Sequence, residues 1–120
     1  MTEIFKILTE DEHDELRRLG AFQGSAADIA DGFIHFSTAA QLPGTAAKHF
    51  AGQDGLWLLA VPVAAVEAAL EWEPARGGDL FPHLYGALRA EAVARAEPLP
   101  LGPDGRHAIP GWASARDGTA

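Results

Sequence analysis

Two histidines in strand-like segments, His35 and His83, are the side chains of this chain best suited to chemistry. The first stands in GFIHFST (residues 32–38) and the second in FPHLYG (residues 81–86). At the two-residue period of a strand, each histidine shares a face with an aromatic ring two residues before it and a hydroxyl two residues after it. Two such faces predict a shared polar cleft. We expect the two ring centres to lie within about 12 Å of each other, a span that one ligand in an ordinary pocket could bridge.

Each histidine has a functional and a structural interpretation. Histidine titrates near neutrality, so His35 could act as a general acid or base or donate to a ligand phosphate, but it could also be a core residue bonded to a backbone carbonyl. We favour the functional interpretation. Pro82 removes a ladder hydrogen bond, which predicts an edge or bulged strand and brings His83 near solvent. Tyr85 could turn its hydroxyl outward or donate to a ligand.

Four other polar residues near these motifs could hold a ligand or take part in the chemistry. Ser37 and Thr38 end the first motif. Thr38 also begins a capping box with Gln41, and the helix start that follows is itself a place where anions bind. The ammonium of Lys6 could hold a phosphate, although a lysine stem that snorkels along apolar surface is the commoner arrangement. Glu73 closes a strand and is either a solvated charge or a carboxylate that reaches the cleft.

A metal site is compatible with the residue types but not with their spacing. His35, His83 and Glu73 are ligand types, yet the chain contains no HxH and no HExxH. Cysteine is absent, which excludes disulfides, thiolate metal sites and a cysteine nucleophile. GxSxG, P-loop and GxGxxG motifs are absent as well, so serine hydrolase, P-loop and Rossmann chemistry lack motif support. We expect no metal.

The composition fits one acidic domain of 120 residues, long enough to bury a sizeable core. The formal net charge of −8 repels polyphosphate backbones, so no grip on DNA or RNA is expected, whereas a single nucleotide held by local groups is allowed. The first residues do not have the pattern of a signal peptide, and the longest apolar run, residues 56–66, is too short to span a membrane. We therefore expect a cytoplasmic protein. The oligomeric state is left open.

Capping residues and apolar segments predict an α+β fold with five or six short strands and two or three short helices. Strands are expected near residues 4–8, 33–37, 56–61, 70–73, 81–85 and 92–99, and helical segments at 10–19, 25–31, 38–50 and 63–69. The segment 56–61 lacks alternation, which predicts a central strand covered on both faces. A single domain is expected over residues 1–112, followed by a disordered tail at 113–120. His13 and His49 are expected on the surface.

The two histidine motifs, with LEWE at residues 70–73 between them, resemble a bacterial family of small proteins classed as a domain of unknown function. The resemblance covers roughly residues 4–110. It implies an ADP-ribosyltransferase-like fold, a mixed and split β-sheet that cradles NAD in a central cleft. Lys6 is the nearest counterpart of the basic residue that the opening strand of that fold offers to the cofactor. Where the transferases place a glutamate, this chain presents His83, unless Glu73 reaches the same cleft.

These observations lead to one main hypothesis and two alternatives. In the main hypothesis NAD or a related nucleotide binds between the two histidine strands, with weak ribosyl or phosphate-ester transfer of the kind a transferase or NAD glycohydrolase performs. The alternatives are a non-enzymatic module that binds a small molecule or a protein, and a metal-dependent hydrolase. The expected catalytic residues are His35, His83 and Glu73, and the expected cofactor-binding residues are Lys6, Ser37, Thr38 and Tyr85.

Overall fold

The computed structural model describes residues 2–115. The elements follow the chain in the order β1 (Glu3–Leu8), α1 (Glu10–Leu19), β2 (Ala21–Phe22), α2 (Ala26–Asp31), β3 (Ile34–His35), α3 (Leu42–His49), β4 (Leu56–Pro62), α4 (Val63–Val66), β5 (Leu70–Pro74), β6 (Leu80–Leu84), β7 (Leu88–Arg89) and β8 (Arg95–Leu99). Short 3-10 turns lie at Glu67–Ala69, Arg76–Gly78, Ala90–Ala92 and Gly111–Ala113.

Local capping signals set the limits of the first two helices. Thr9 and Glu12 form a capping box at the start of α1, and Ser25 and Asp28 form one at the start of α2. A glycine with positive φ follows each helix and makes the left-handed turn that ends it. These limits confirm the sequence prediction. They also fix Asp28 in the first turn of α2, directly before the strand that carries His35.

A backbone bridge joins the two three-stranded sheets of the fold. The first sheet has the order β1-β4-β8 and the second β3-β6-β5, while β2 pairs with β7 alone. Phe5 of β1 and Ser37, just after β3, exchange two backbone hydrogen bonds of 2.8 and 2.9 Å, and this isolated bridge joins the two sheets. The predicted α+β class is confirmed.

The predicted mixture of parallel and antiparallel strands is wrong. Every strand pair in the described part of the chain is antiparallel. Parallel pairing needs a crossover of a dozen or more residues, whereas β5 and β6 are joined by a short loop at residues 75–79. A short loop of this kind returns the chain in the opposite direction and accounts for the β5·β6 pair, whereas the other pairs join strands that are distant in the chain.

Apolar side chains on both sides of β1 form two buried clusters. Ile4 and Leu8 enter one cluster, and Phe5 and Ile7 enter the other. β4 lies between β1 and β8, and most of its side chains are buried, so the predicted central strand is confirmed. β1 is therefore covered on both faces, and Lys6 in its middle is buried too.

His13 is buried, so its expected surface position is wrong. Its ring stacks on Trp57 with a centroid separation of 3.9 Å and an interplanar angle of 18°. The Nδ1 atom is buried and has no hydrogen-bond partner among residues 2–115. Burial, and then the charge of Arg17, lower the pKa of His13. The charge-rich sequence of α1 gives no sign that one of its polar residues faces an indole.

Pro82 does not mark an edge strand, because β6 lies between β3 and β5. In an antiparallel ladder the N–H and C=O of one residue point toward the same neighbouring strand. The carbonyl of Pro82 accepts from the backbone N–H of Phe36 at 3.0 Å, so the missing N–H faces the side of β3. That strand ends at His35, and the missing donor therefore falls where the ladder stops. His83 is 5% exposed, contrary to its expected position near solvent.

The domain extends beyond its predicted limit at residue 112. The ring of Trp112 packs 6.4 Å from that of Phe5, and Ala113 is fully buried. The first residue of the predicted tail is thus part of the core, and residues 116–120 lie outside the described residues. Between residues 2 and 115, no helix has the length and apolar character that crossing a membrane requires.

Candidate functional site

His35 and His83 face each other across the ladder between β3 and β6. They are direct partners in the register of the two strands, and their ring centres lie 5.6 Å apart. The predicted separation of less than about 12 Å is confirmed. The flanking residues Ile34 and Phe36 point into the core, as strand alternation requires. Both imidazoles therefore lie on the same side of the sheet.

Asp28 is the centre of a buried network that holds His35. Its carboxylate accepts from Nζ of Lys6 at 3.0 and 3.3 Å and from Nδ1 of His35 at 2.5 Å. The backbone N–H groups of Ser25 and His35 donate to it at 2.9 and 3.1 Å. Burial alone raises the pKa of Asp28, but the hydrogen bond from His35, the charge of Lys6 and the backbone donors outweigh burial and hold that pKa far below its ordinary value. Asp28 is therefore an ionised carboxylate that fixes the orientation of the His35 ring.

The other ring nitrogen of His35 meets a second, exposed carboxylate. Nε2 lies 2.9 Å from Oδ2 of Asp31, at the end of α2. The side chain of Asp31 is 55% exposed, whereas that of Asp28 is 2% exposed. Exposed ion pairs contribute little stability, so an anionic ligand can displace Asp31 from Nε2 without disturbing the buried network.

His83 is held by a carboxylate from the neighbouring strand. Its Nδ1 lies 2.7 Å from Oε1 of Glu73, and the hydroxyl of Tyr85 donates to the same oxygen at 2.8 Å. Phe33 covers the ring, stacked at a centroid distance of 4.0 Å. The hydrogen bonds from His83 and then Tyr85 lower the pKa of Glu73, and the bond to Glu73 raises the pKa of Tyr85. Within residues 2–115 no hydrogen bond uses Nε2 of His83, which leaves this nitrogen for a ligand.

Both histidines line a cavity of about 380 Å³ between the end of β3, α2, α3 and the loop before β6. This volume is at the small end of the range for ligand pockets. Apolar residues such as Phe5, Phe50 and Phe81 form part of its wall. Its polar lining consists of Lys6, Ser25, Asp28, Asp31, His35, Ser37, Thr45, Lys48, His49, Arg76 and His83.

Four of the predicted site residues line this cavity, namely His35, His83, Lys6 and Ser37. The ammonium of Lys6 is paired with Asp28 and does not snorkel to the surface, so that interpretation is wrong. The hydroxyl of Ser37 shares a hydrogen bond of 2.8 Å with Oγ1 of Thr45.

The other three predicted residues lie outside the cavity lining. Thr38 and Gln41 exchange hydrogen bonds of 3.0 and 3.2 Å in the turn before α3. The helix itself begins at Leu42 with Gln41 as its N-cap, so the predicted helix start at Thr38 is wrong. Tyr85 donates to Glu73. Glu73 reaches the site only through His83, as the carboxylate that holds its ring.

Sequence reasoning missed five residues of the cavity wall, namely Asp28, Asp31, Lys48, His49 and Arg76. Asp28 belongs to the motif Ser25-Ala26-Ala27-Asp28, which signals a helix start and nothing more. Arg76 lies in a loop rich in glycine, where a charged side chain is normally solvated. Among residues 2–115, no three histidine, aspartate or glutamate side chains are grouped closely enough to hold a metal ion.

The fold and the cavity define a small antiparallel α+β domain with two carboxylate-held histidines in its cleft. The chain belongs to the family described as "Protein of unknown function (DUF952)", which matches residues 7–96. This confirms the expected membership of a bacterial family of unknown function, over a shorter range than the predicted residues 4–110.

Solved structures of protein CC0527 from Caulobacter crescentus are similar to this chain. The X-ray crystal structure has 48% sequence identity and a TM-score of 0.86, covering 89% of this chain and 94% of that one. The solution NMR structure has 49% identity and a TM-score of 0.80, covering 88% and 91%. No curated protein matches the chain.

Proposed function

We propose that the cavity binds a phosphorylated nucleotide and that His35 and His83 transfer protons during hydrolysis or transfer of a phosphate ester at its ribose. One observation carries this proposal: two histidines with ring centres 5.6 Å apart line one cavity, and each is held at Nδ1 by a carboxylate. The resemblance to ADP-ribosyltransferase-like folds, which bind NAD in a central cleft, supports a nucleotide as the ligand.

A carboxylate at Nδ1 gives each ring a defined role for Nε2. It holds the tautomer in which Nε2 can accept a proton, and it stabilises the imidazolium that forms. In the proposed reaction, Nε2 of His83 takes the proton of an attacking water or ribose hydroxyl as the new P–O bond forms. Protonated His35 gives its Nε2 proton to the leaving oxygen as the ester P–O bond breaks. A base and an acid at this separation can act on the two sides of one phosphorus atom.

This acid and base pair favours phosphate-ester chemistry over cleavage of NAD. The bond between ribose and nicotinamide breaks to release a neutral base, which needs no proton from the protein. Its developing oxocarbenium ion needs a nearby carboxylate, yet Glu73 accepts hydrogen bonds from His83 and Tyr85 outside the cavity lining. An ester oxygen leaves as an alkoxide and needs a proton donor. We therefore expect NAD to bind and to be cleaved slowly, if at all.

The test combines binding and turnover in variants that keep the buried hydrogen bonds. The amide nitrogen of asparagine occupies nearly the place of Nδ1, so His35→Asn and His83→Asn can still donate to Asp28 and Glu73 while they lose Nε2. His107→Asn is the matched control, because His107 bonds to the carbonyl of Gln53 and does not line the cavity. The ligands are NAD, ADP-ribose, AMP and ribonucleoside 2′,3′-cyclic, 2′- and 3′-phosphates.

We expect ligand to raise the melting temperature of the wild type. Turnover of the esters, measured as product formed, should follow a bell-shaped pH profile near neutrality. Each cavity variant should lose about 10²- to 10⁴-fold in turnover, and His107→Asn should lose none. Binding without turnover of any ester would make the domain a non-enzymatic binding module. Turnover of NAD that Glu73→Gln abolishes and His83→Asn spares would restore the transferase assignment. If none of these ligands shifts the melting temperature at millimolar concentrations, the proposal that the cavity binds a nucleotide is wrong.

A further inference from the structure

The cavity wall has the opposite charge balance to the chain as a whole. The chain has 17 acidic and 9 basic residues. Three of those basic residues line the cavity, including both lysines of the chain, against two acidic residues, Asp28 and Asp31. Both of these carboxylates already contact His35, and Asp28 also contacts Lys6. The remaining cations of the wall therefore face the cavity without a compensating carboxylate in its lining.

These remaining cations come from two segments that meet at α3. Lys48 and His49 occupy its last turn, and Arg76 follows β5. No carboxylate lies within 4.0 Å of Lys48 or Arg76 among residues 2–115. The negative end of a helix dipole favours cations, which explains Lys48 and His49 locally. It does not explain why an arginine from a distant loop joins them.

Arg76 is held against α3 by packing and by one long hydrogen bond. Its guanidinium carbon lies 5.0 Å from the ring centroid of Phe81, and Nη2 donates to the carbonyl of Gln41 at 3.4 Å. The backbone at Gly44 leaves room for it, because a Cβ there would lie 2.9 Å from Nη2. Among residues 2–115, most of the guanidinium donors thus have no protein acceptor. A planar fork of free donors is suited to the oxygens of a phosphate.

The surroundings of His49 agree with an accumulation of positive charge. Burial lowers the pKa of His49 most, and the charges of Lys48 and Arg76, then of His35 and Lys6, lower it further. The ring of His49 is therefore less readily protonated than an ordinary histidine, and the positive charge of this part of the wall belongs to Lys48 and Arg76. A bound anion would offset that charge and favour a protonated His49.

We propose that Lys48, His49 and Arg76 form a phosphate-binding subsite, distinct from the histidine pair, that holds a second phosphate of the ligand. Lys6, the predicted phosphate ligand, is not part of it, because both oxygens of Asp28 already accept from its ammonium. The ligand class is therefore a nucleotide with a phosphate besides the reacting ester, such as a dinucleotide with its diphosphate or a ribose phosphate that also carries a 5′-phosphate. This inference rests on the proposed function only for the reacting phosphate ester at the histidine pair.

Pyrophosphate, AMP and adenosine are the probes, titrated by calorimetry into wild type, Arg76→Gln and Lys48→Gln. Arg106→Gln is the control, because Arg106 is exposed and does not line the cavity. We expect each cavity variant to bind pyrophosphate and AMP about tenfold more weakly, the effect of losing one charged hydrogen bond. Arg106→Gln should bind like the wild type, and adenosine should bind all four proteins equally.

Gly44→Ala separates loss of the subsite from loss of folding. Gly44 lies in the first turn of α3, where alanine favours the helix over glycine, but the Cβ of the alanine must push Nη2 of Arg76 aside. We expect pyrophosphate to bind at least about threefold more weakly, with an unfolding midpoint no lower than that of the wild type.

The outcomes separate this inference from the proposed function. Pyrophosphate binding that depends on Arg76 and Lys48 upholds the subsite even if no ester is turned over. Wild-type affinity for pyrophosphate and AMP in both cavity variants would overturn it, and so would a wild type that does not bind pyrophosphate at millimolar concentrations. Ester turnover that depends on His35 and His83 but not on Arg76 or Lys48 would leave the proposed function standing without the subsite.

Discussion

Replacing Asp28 with asparagine should destabilise the protein more than replacing Lys6 with methionine, although the two residues form one buried ion pair. The difference lies in the partners that each change leaves behind. Without the Asp28 carboxylate, the ammonium of Lys6 has no ionised acceptor and remains buried. Without Lys6, the carboxylate still accepts from the backbone N–H of Ser25 and from the backbone and the ring of His35.

The expected cost of Asp28→Asn is about 3–5 kcal/mol, the usual effect of leaving a buried charge without its partner. The asparagine amide also turns two donors toward groups that are themselves donors. Lys6→Met removes one charged hydrogen-bonding partner and should cost about 1–3 kcal/mol. The double variant should cost less than the sum of the two, because each change removes the penalty that the other creates.

Urea unfolding at pH 7 gives these free energies, provided that the slope m is the same in all four proteins. The low pKa of Asp28 adds a second measurement. The stability that the Asp28 carboxylate contributes is fully present above the pKa of an unfolded aspartate, about 3.9. It is lost as the pH falls from there through the lower pKa of Asp28 in the folded state. The difference between wild type and Asp28→Asn should therefore shrink as the pH falls below about 4. If Lys6→Met costs as much as Asp28→Asn, Asp28 is not the centre of the network and the reasoning is wrong.

Two further predictions concern groups outside the cavity. His13→Phe keeps a flat ring on Trp57 and removes a titratable group whose pKa is lowered in the folded protein. The wild type loses stability as the pH falls below about 6.5, and the variant should lose less, measured as the urea midpoint. An equally steep loss in the variant would contradict this. Tyr85 is the one tyrosine of the chain, so absorbance reports the titration of its phenolate directly. Glu73→Gln should shift that titration to lower pH, because the carboxylate raises the pKa of Tyr85. An unchanged titration would show that Glu73 does not hold the hydroxyl in solution.

The parts of the fold that local chemistry decides were predictable from the sequence. The capping box at Thr9 and the glycines that follow α1 and α2 act within a few residues, and the limits predicted for these two helices are confirmed. Alternation around His35 and His83 placed both rings on one face of the sheet. The order of the strands could not be read in this way. Pro82 shows why. Its missing N–H indicates an edge strand only if a neighbouring strand would otherwise accept a hydrogen bond from that position, and this depends on the register of the two strands.

The site was predictable only where its residues lie in the two motifs. Asp28 has a sufficient local explanation as a capping residue, and its contact with Lys6 joins positions 22 residues apart. Arg76 reads as a loop charge until α3 and Phe81 are placed against it. Both residues depend on tertiary neighbours, which a single sequence does not contain. The same reason explains why Glu73 was expected in the cleft, when it holds His83 from the adjoining strand.

The position of the two lysines gives the cavity a selective chemical handle. Lys6 is buried and its ammonium is occupied by Asp28, whereas Lys48 is exposed at the cavity wall. An amine-reactive dye therefore has a single accessible lysine side chain to modify, and that side chain lies beside the proposed phosphate. Protection of Lys48 from that dye would report ligand entry without a designed cysteine or any change to the two histidines.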